Sequence, residues 1–297
     1  MLDKTRLWAA VLSVASFLLG CSSNRQAAVP AKTKQHVEHD FDGNGKSDIV
    51  LVNDVSHQIS VWFLGGNRDL LLLGTPVIGT FNSGWHAVTS GDLDGDGKPD
   101  ILLQNATTNE LSAWFLEGTG QDIKAVSTPV FPTVPQRGWH LVGAGDFDGT
   151  GKASLLLWNQ DKAQISLWSL SGDRTVRLVS DRILGSTGGP EWRFACAADL
   201  NDDGKAEILV QNQTTRQIGF LAAGGPAPVA TPWATSSNQQ IVACDDFYRT
   251  GEVALLLENT ATGDLTVMSL GSGRPFFPGF VLGAPARGWQ VLYASGA

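Results

Sequence analysis

Apolar positions along this chain fall into two alternating kinds of segment, repeated five times. The first kind is a short apolar run that ends in asparagine: residues 48–53 (DIVLVN), 100–105 (DILLQN), 154–159 (SLLLWN), 207–212 (EILVQN) and 254–259 (ALLLEN). Runs of that length, apolar at both parities and rich in Val, Ile and Leu, predict strands buried on both faces. The second kind follows after a few polar residues and alternates, as in Leu111-Ser112-Ala113-Trp114-Phe115-Leu116, which predicts the partner strand of a hairpin. Asn53, Asn105, Asn159, Asn212 and Asn259 sit where each hairpin must turn, and asparagine bonds its own backbone in such turns.

Each run is preceded by an acidic, glycine-bearing loop. Aligned on its first aspartate, the loop recurs at Asp40, Asp92, Asp146, Asp199 and Asp246, with spacings of 52, 54, 53 and 47 residues. A period near fifty residues identifies a repeat architecture. Seven residues before the loop stand Trp85, Trp139 and Trp192, on a strand that leads into it, and 22 residues after its start stand Trp62, Trp114 and Trp168. Tryptophans at fixed strand positions are read as packing between repeats.

The ends of the chain break the pattern in a complementary way. Seven before Asp40 is Thr33, so the first copy lacks its leading strand, while residues 287–293 (RGWQVLY) supply that strand with no loop after it. A strand moved from one end to the other closes a ring and removes the open edge. The expected fold is therefore all-β: a five-bladed β-propeller of four-stranded blades, closed by the C-terminal strand. The fourth strands are expected near Thr75–Phe81, Ser127–Thr133 and Arg177–Leu184. A β-solenoid would not need the transferred strand.

Composition agrees with many short strands and tight turns: 34 glycines and ten tryptophans in 297 residues. The formal net charge of −8 argues against nucleic acid or anionic lipid as a partner. At the N-terminus Lys4 and Arg6 precede an apolar stretch from Leu7 to Leu19, too short to span a membrane and laid out as an export signal over residues 1–20. Leu18-Leu19-Gly20-Cys21 resembles the lipobox of bacterial lipoproteins, which implies lipidation at Cys21, and Ser22 after it implies the outer membrane or cell surface. Residues 21–34 read as a flexible tether and 35–297 as the propeller. Cys196 and Cys244 lie three and two residues before their loop aspartates, offsets that face opposite ways on a strand, so a disulfide between them is not expected and both are read as small core residues.

The loop chemistry is that of a hard cation. In loop two Asp92, Asp94, Asp96 and Asp100 occupy positions 1, 3, 5 and 9, glycine occupies position 6, and the Lys98 carbonyl is available at position 7. Calcium takes about six to eight oxygens at roughly 2.3–2.6 Å, which alternate residues of a tight loop can supply. Position 12 is Leu103 where an EF-hand needs glutamate, so the loop feeds a strand and not a helix. These loops, the apolar run ending in Asn and the Gly-Trp strand resemble the FG-GAP or VCBS-type repeats of bacterial surface proteins, related to the propeller blades of integrin alpha subunits. The resemblance covers about residues 35–297 and implies a calcium-bearing propeller used in adhesion or recognition.

Carboxylate number ranks the loops. Loop two has four; loop one has Asp40, Asp42 and Asp48 with Asn44 and the Lys46 carbonyl; loop four has Asp199, Asp203 and Glu207 with Asn201 and the Lys205 carbonyl. Loop three keeps Asp146 and Asp148 beside Thr150 and Ser154, and loop five keeps Asp246 alone, so loop three is marginal and loop five is expected to be empty. The expectation is about two to four Ca²⁺ ions, held structurally with modest affinity.

A ligand surface is sought where the repeat places polar residues among apolar ones. Six before each loop aspartate stand His86, His140, Arg193 and Gln240, and Gln290 follows Trp289 in the closing strand; five such side chains at one level suit a sugar or a peptide. His36 and His39, beside the tether, are read as incidental. There is no HExxH, GxSxG, CxxC or phosphate loop. A non-catalytic, monomeric, lipid-anchored module binding an extracellular glycan or surface protein is the leading expectation. Two alternatives stay open: an assembly lipoprotein docking another envelope protein through a bulky patch on the rim, and a polysaccharide-degrading enzyme acting in the channel. The latter has little to work with, since Tyr248 and Tyr293 are the only tyrosines.

Overall fold

The computed structural model describes residues 38–66, 69–131, 138–201, 203–221, 228–269 and 279–292. The export signal, the tether, Cys21, His36 and Tyr293 lie outside the described residues. In chain order, blade one contributes β1 (Ile49–Asn53), β2 (Gln58–Gly65), β3 (Leu71–Gly74) and β4 (Val77–Thr80). Blade two is β5 (Trp85–Gly91), β6 (Asp100–Asn105), β7 (Leu111–Glu117), β8 (Lys124–Ser127) and β9 (Val130–Phe131). Blade three is β10 (Trp139–Gly145), β11 (Ser154–Asn159), β12 (Gln164–Leu170) and β13 (Leu178–Ser186). Blade four is β14 (Trp192–Ala198), β15 (Glu207–Asn212), β16 (Gln217–Leu221) and β17 (Val229–Ala234). Blade five is β18 (Gln239–Asp245), β19 (Ala254–Asn259), β20 (Leu265–Ser269) and β21 (Phe280–Gly283), and β22 (Gln290–Val291) returns to blade one.

Every blade is an antiparallel meander, and the expected closure is present: β22 pairs with β1, Leu51 opposite Val291 and Val52 opposite Gln290. Each hairpin turns on its asparagine, whose Oδ1 accepts backbone N–H bonds from residues two or three further on, such as Val55 and Ser56 on Asn53 and Thr107 and Thr108 on Asn105. Four residues after that asparagine the chain is left-handed in every blade, at His57, Asn109, Ala163, Arg216 and Gly263.

The apolar runs are buried on both faces because each blade packs between two others. Leu155 and Leu157 of β11 join a core shared with blade two, while Leu156 and Trp158 join one shared with blade four. Five such cores sit in the seams of the ring, the last joining Leu51 and Val291 to Val267 of blade five. Trp114 and Trp192 are buried at these seams, and glycine is required opposite Trp114, since a Cβ on Gly79 would lie 2.4 Å from the ring.

Two expectations need correction. The fourth strand of blades one and two starts earlier than placed and is broken in two, β3–β4 and β8–β9, at Thr75-Pro76 and Thr128-Pro129. Proline has no N–H for the ladder, but its carbonyl still accepts, Pro76 O from Val61 N and Pro129 O from Ala113 N. The second correction is larger: Cys196 and Cys244 are joined by a disulfide, with Cα atoms 5.8 Å apart. Opposite offsets would keep them apart on two strands that presented the same face to each other. In a propeller the forward face of one blade meets the rear face of the next, so residues on opposite faces of β14 and β18 are the ones that meet.

Candidate metal loops

The five loops cluster at one end of the inner strands. The first aspartate folds its own turn: Asp92 Oδ1 accepts from Gly95 N and Asp96 N and Oδ2 from Gly97 N, at 2.7, 3.2 and 2.8 Å. Asp40 and Asp146 accept from the corresponding three N–H groups. Among the described residues Asp199 and Asp246 accept from two each. Neighbouring loops are joined as well, by Ala153 N to Asp92 O, Ala206 N to Asp146 O and Ser47 N to Asp246 O. The last of these carries the loop ring across the blade five–blade one closure.

Position 9 ties the loop to the sheet. Asp48 accepts from Phe41 N and from Leu64 N on β2, and Asp100 from Leu93 N and from Leu116 N on β7, all between 2.8 and 3.0 Å. Burial pushes both carboxyls up to about 8, against the lowering effect of those N–H bonds. Glu207, raised to about 7 by burial, accepts from Leu200 N and from the Asn201 amide.

Two loops bring carboxylates together. Asp40, Asp42 and Asp48 each offer an oxygen, all within 4.8 Å of one another, and Asp92, Asp94 and Asp100 do the same. Partly buried carboxylates crowded to that degree favour a cation or a proton, and an all-oxygen donor set suits Ca²⁺ or Mg²⁺ better than a softer metal. Among the described residues the members of loop four are not drawn into such a trio, and Asn201 points its amide nitrogen, not its oxygen, at Glu207 Oε1. Position 5 stands outside both trios: Asn44 Oδ1 accepts from Lys46 N, Asp96 Oδ1 from Lys98 N and, in loop four, Asp203 Oδ1 from Lys205 N. In loop three Asp148 accepts from the Thr150 hydroxyl.

Glu38 and His39, just before loop one, are central to the loop end. His39 Nδ1 lies 2.9 Å from Asp245 Oδ2, which also accepts from the Ser47 hydroxyl at 2.9 Å, and the Ser90 backbone bonds the same ring. Burial would lower His39, but the bond to Asp245, that residue's charge and Glu38 outweigh it and leave the imidazole raised. Glu38 Oε1 accepts from Asp146 N at 3.0 Å, and burial drives Glu38 up to about 7. Together they tie the start of blade one to blades two, three and five, so His39 is a structural pin and not incidental. A signal was present: immediately before the loop aspartates stand His39, Gly91, Gly145, Ala198 and Asp245, of which only the first and last are charged.

The polar ring lies at the opposite end. Trp85 pairs with Asn105, Trp139 with Asn159 and Trp192 with Asn212, so His86, His140 and Arg193 each sit one residue in from the hairpin face; Gln240 and Gln290 hold the corresponding places. Seven-residue inner strands separate this level from the metal loops by about 20 Å. His86 is half-buried and lowered by burial, with Asp54 acting against that shift, and Gln290 Nε2 donates to Asp54 Oδ2 at 2.7 Å. Arg193 is turned onto backbone, donating to the Pro190 and Trp192 carbonyls.

Residues 40–103 and 146–210 match the FG-GAP-like repeat family. Each match begins on a first loop aspartate, Asp40 or Asp146, and runs through the next loop into the strand beyond it. With five blades built on that unit, the chain is an FG-GAP-repeat β-propeller. No curated protein matches it. Among solved structures it is similar to the Tc holotoxin pore of Photorhabdus luminescens, at 13% identity and TM-score 0.41, over 83% of this chain and 12% of that one. It is also similar to a functionally unknown protein from Desulfotomaculum acetoxidans, at 14% identity and TM-score 0.40 over 78% of each chain. A protein from Lactobacillus plantarum matches at 15% identity and TM-score 0.36, over 78% of this chain and 67% of that one. The chain thus spans a small fraction of the toxin chain it matches.

Proposed function

We propose that the protein is an exported, lipid-anchored, calcium-stabilised propeller that binds an extracellular glycan or surface protein without catalysing a reaction on it. The observation that carries the calcium half is the pair of converged carboxylate trios, Asp40/Asp42/Asp48 and Asp92/Asp94/Asp100. A bound ion would neutralise each trio and couple cation binding to the stability of the seam beside it. The Lys46 and Lys98 carbonyls and the position 5 side chains would complete the oxygen shell. The disulfide supports an oxidising, extracytoplasmic compartment, and by pairing Cys196 with Cys244 it leaves Cys21 as the one remaining cysteine, as an anchor requires.

For the ligand, the level of His86, His140, Arg193, Gln240 and Gln290 on the face away from the metal loops supports recognition there. A second reading has its own observation: Leu71, Leu72 and Leu73 on β3 are 53%, 46% and 57% exposed at the rim of blade one, the kind of patch expected of a protein-docking surface. Melting the full chain in Ca²⁺ and in chelator, with glycan-array binding in both conditions, tests the proposal. A Ca²⁺-dependent rise with glycan hits supports the lectin-like form. A rise without hits moves the weight to a protein partner at the rim, and the absence of a rise removes calcium.

A further inference from the structure

Arg174 belongs to blade three, in the turn between β12 and β13, yet its guanidinium lies on loop two of blade two. Its Nε is 3.0 Å from Asp94 Oδ2, and one Nη is 3.7 Å from Asp96 Oδ2 and 2.8 Å from Glu117 Oε1. The turn that carries it is well braced. Asp173 accepts from Thr175 N and the Ser171 hydroxyl, Ser171 N donates to Arg177 O at 2.8 Å, and Val176 is buried beneath. Asp94 is itself nearly buried, and its other oxygen accepts from Asp96 N. Both oxygens of one member of the trio are therefore engaged, one of them by a fixed positive charge.

Loop one offers the comparison. It holds Asn44 where loop two holds Asp96, and among the described residues no ion pair touches Asp40, Asp42 or Asp48. Loop two thus carries one more carboxylate and one guanidinium to set against it. We propose that Arg174 is a built-in counter-cation for loop two: it clasps the blade two–blade three seam when no ion is bound, and it lowers the loop's affinity for a divalent cation toward that of a three-carboxylate loop. This rests on the calcium reading above. A cation held by Asp94 through Oδ2 must share that oxygen with the guanidinium or displace it, and one held through Oδ1 still feels the like charge across the same carboxylate. Because Arg174 is partly exposed, solvent and salt screen the effect, which is expected to be about tenfold in affinity at low salt.

The test is calorimetric Ca²⁺ titration of the full chain carrying Asp40→Asn, with Asp92→Asn added in a control to identify the heat that belongs to loop two. In that background Arg174→Gln is expected to tighten loop two about tenfold, with the gap narrowing in about 0.5 M salt. Arg174→Lys, which keeps the charge, stays close to the parent. In chelator Arg174→Gln melts below the parent, since the seam has lost its clasp. Unchanged or weaker Ca²⁺ binding by Arg174→Gln overturns the role of Arg174 alone. Loop two taking up no Ca²⁺ with either residue overturns the calcium reading and this inference with it.

Discussion

At the loop face of blades one and two, three carboxylates converge in each loop, whereas blades four and five are joined by Cys196–Cys244 and loop five retains only Asp246 from the original ligand set. The turns themselves hardly differ. Asp246 accepts from Thr250 N and Gly251 N as Asp92 does from Asp96 N and Gly97 N. Position 1 is therefore a turn-forming residue whatever the charge of its loop, while positions 3 and 9 add the carboxylates that complete each trio. On the proposed calcium reading, one half of the ring has cohesion that depends on what is dissolved around it. The other half has a covalent tie that does not.

The largest test of that contrast is Cys196→Ser with Cys244→Ser. The bridge spans 48 residues, and its loss is expected to cost about 4 kcal/mol by loop-closure entropy, equally in Ca²⁺ and in chelator. Denaturant melts of the double variant check both parts; a loss that Ca²⁺ repaired would break the separation of the two halves. Next is Asp100→Ala, which strands the buried Leu93 and Leu116 N–H groups and is expected to cost about 2–4 kcal/mol while abolishing the Ca²⁺ response of loop two, read by melting and titration. Asp92→Ala and Asp246→Ala form a sharper pair. Each frees part-buried backbone donors and should cost about 1–2 kcal/mol in chelator, but only Asp92→Ala should also remove part of the Ca²⁺-induced gain, about 1.4 kcal/mol per loop at tenfold excess over Kd. Equal Ca²⁺ responses in the two variants would erase the distinction between the loops. The smallest effect concerns the far face: Ala163 is left-handed where blade five has Gly263, so Ala163→Gly should stabilise by up to about 1 kcal/mol, visible as a small shift in midpoint.

Most of the blade was legible because the repeat counts it out. Asn53 and its four equivalents mark turns through bonds to N–H groups two or three residues away, and the loop aspartates fold turns through bonds three to five residues away. Such short-range chemistry survives in any copy that keeps the residue. The transferred strand was legible too, since Thr33 and Trp289 mark a gap and a surplus at opposite ends of one period. Less accessible were the breaks in the fourth strand, although Thr75-Pro76 and Thr128-Pro129 recur and could have been read as lost ladder donors. Counting carboxylates placed loop two first, and nothing in that count reveals that Arg174, 80 residues away, cancels part of the advantage.

The sequence by itself determined the five-fold repeat, the turn chemistry of each loop and hairpin, and the closure of the ring, because these depend on spacings within one period. The tertiary structure decided which blades touch and by which faces. It brought Cys196 to Cys244, His39 to Asp245, Glu38 to Asp146 and Arg174 to Asp94, and it drew the ligands of loops one and two into trios while leaving those of loop four apart. Each of these pairs joins different blades: Cys196–Cys244 and Arg174–Asp94 meet when the faces of successive sheets pack, and His39–Asp245 meets across the closure of the ring.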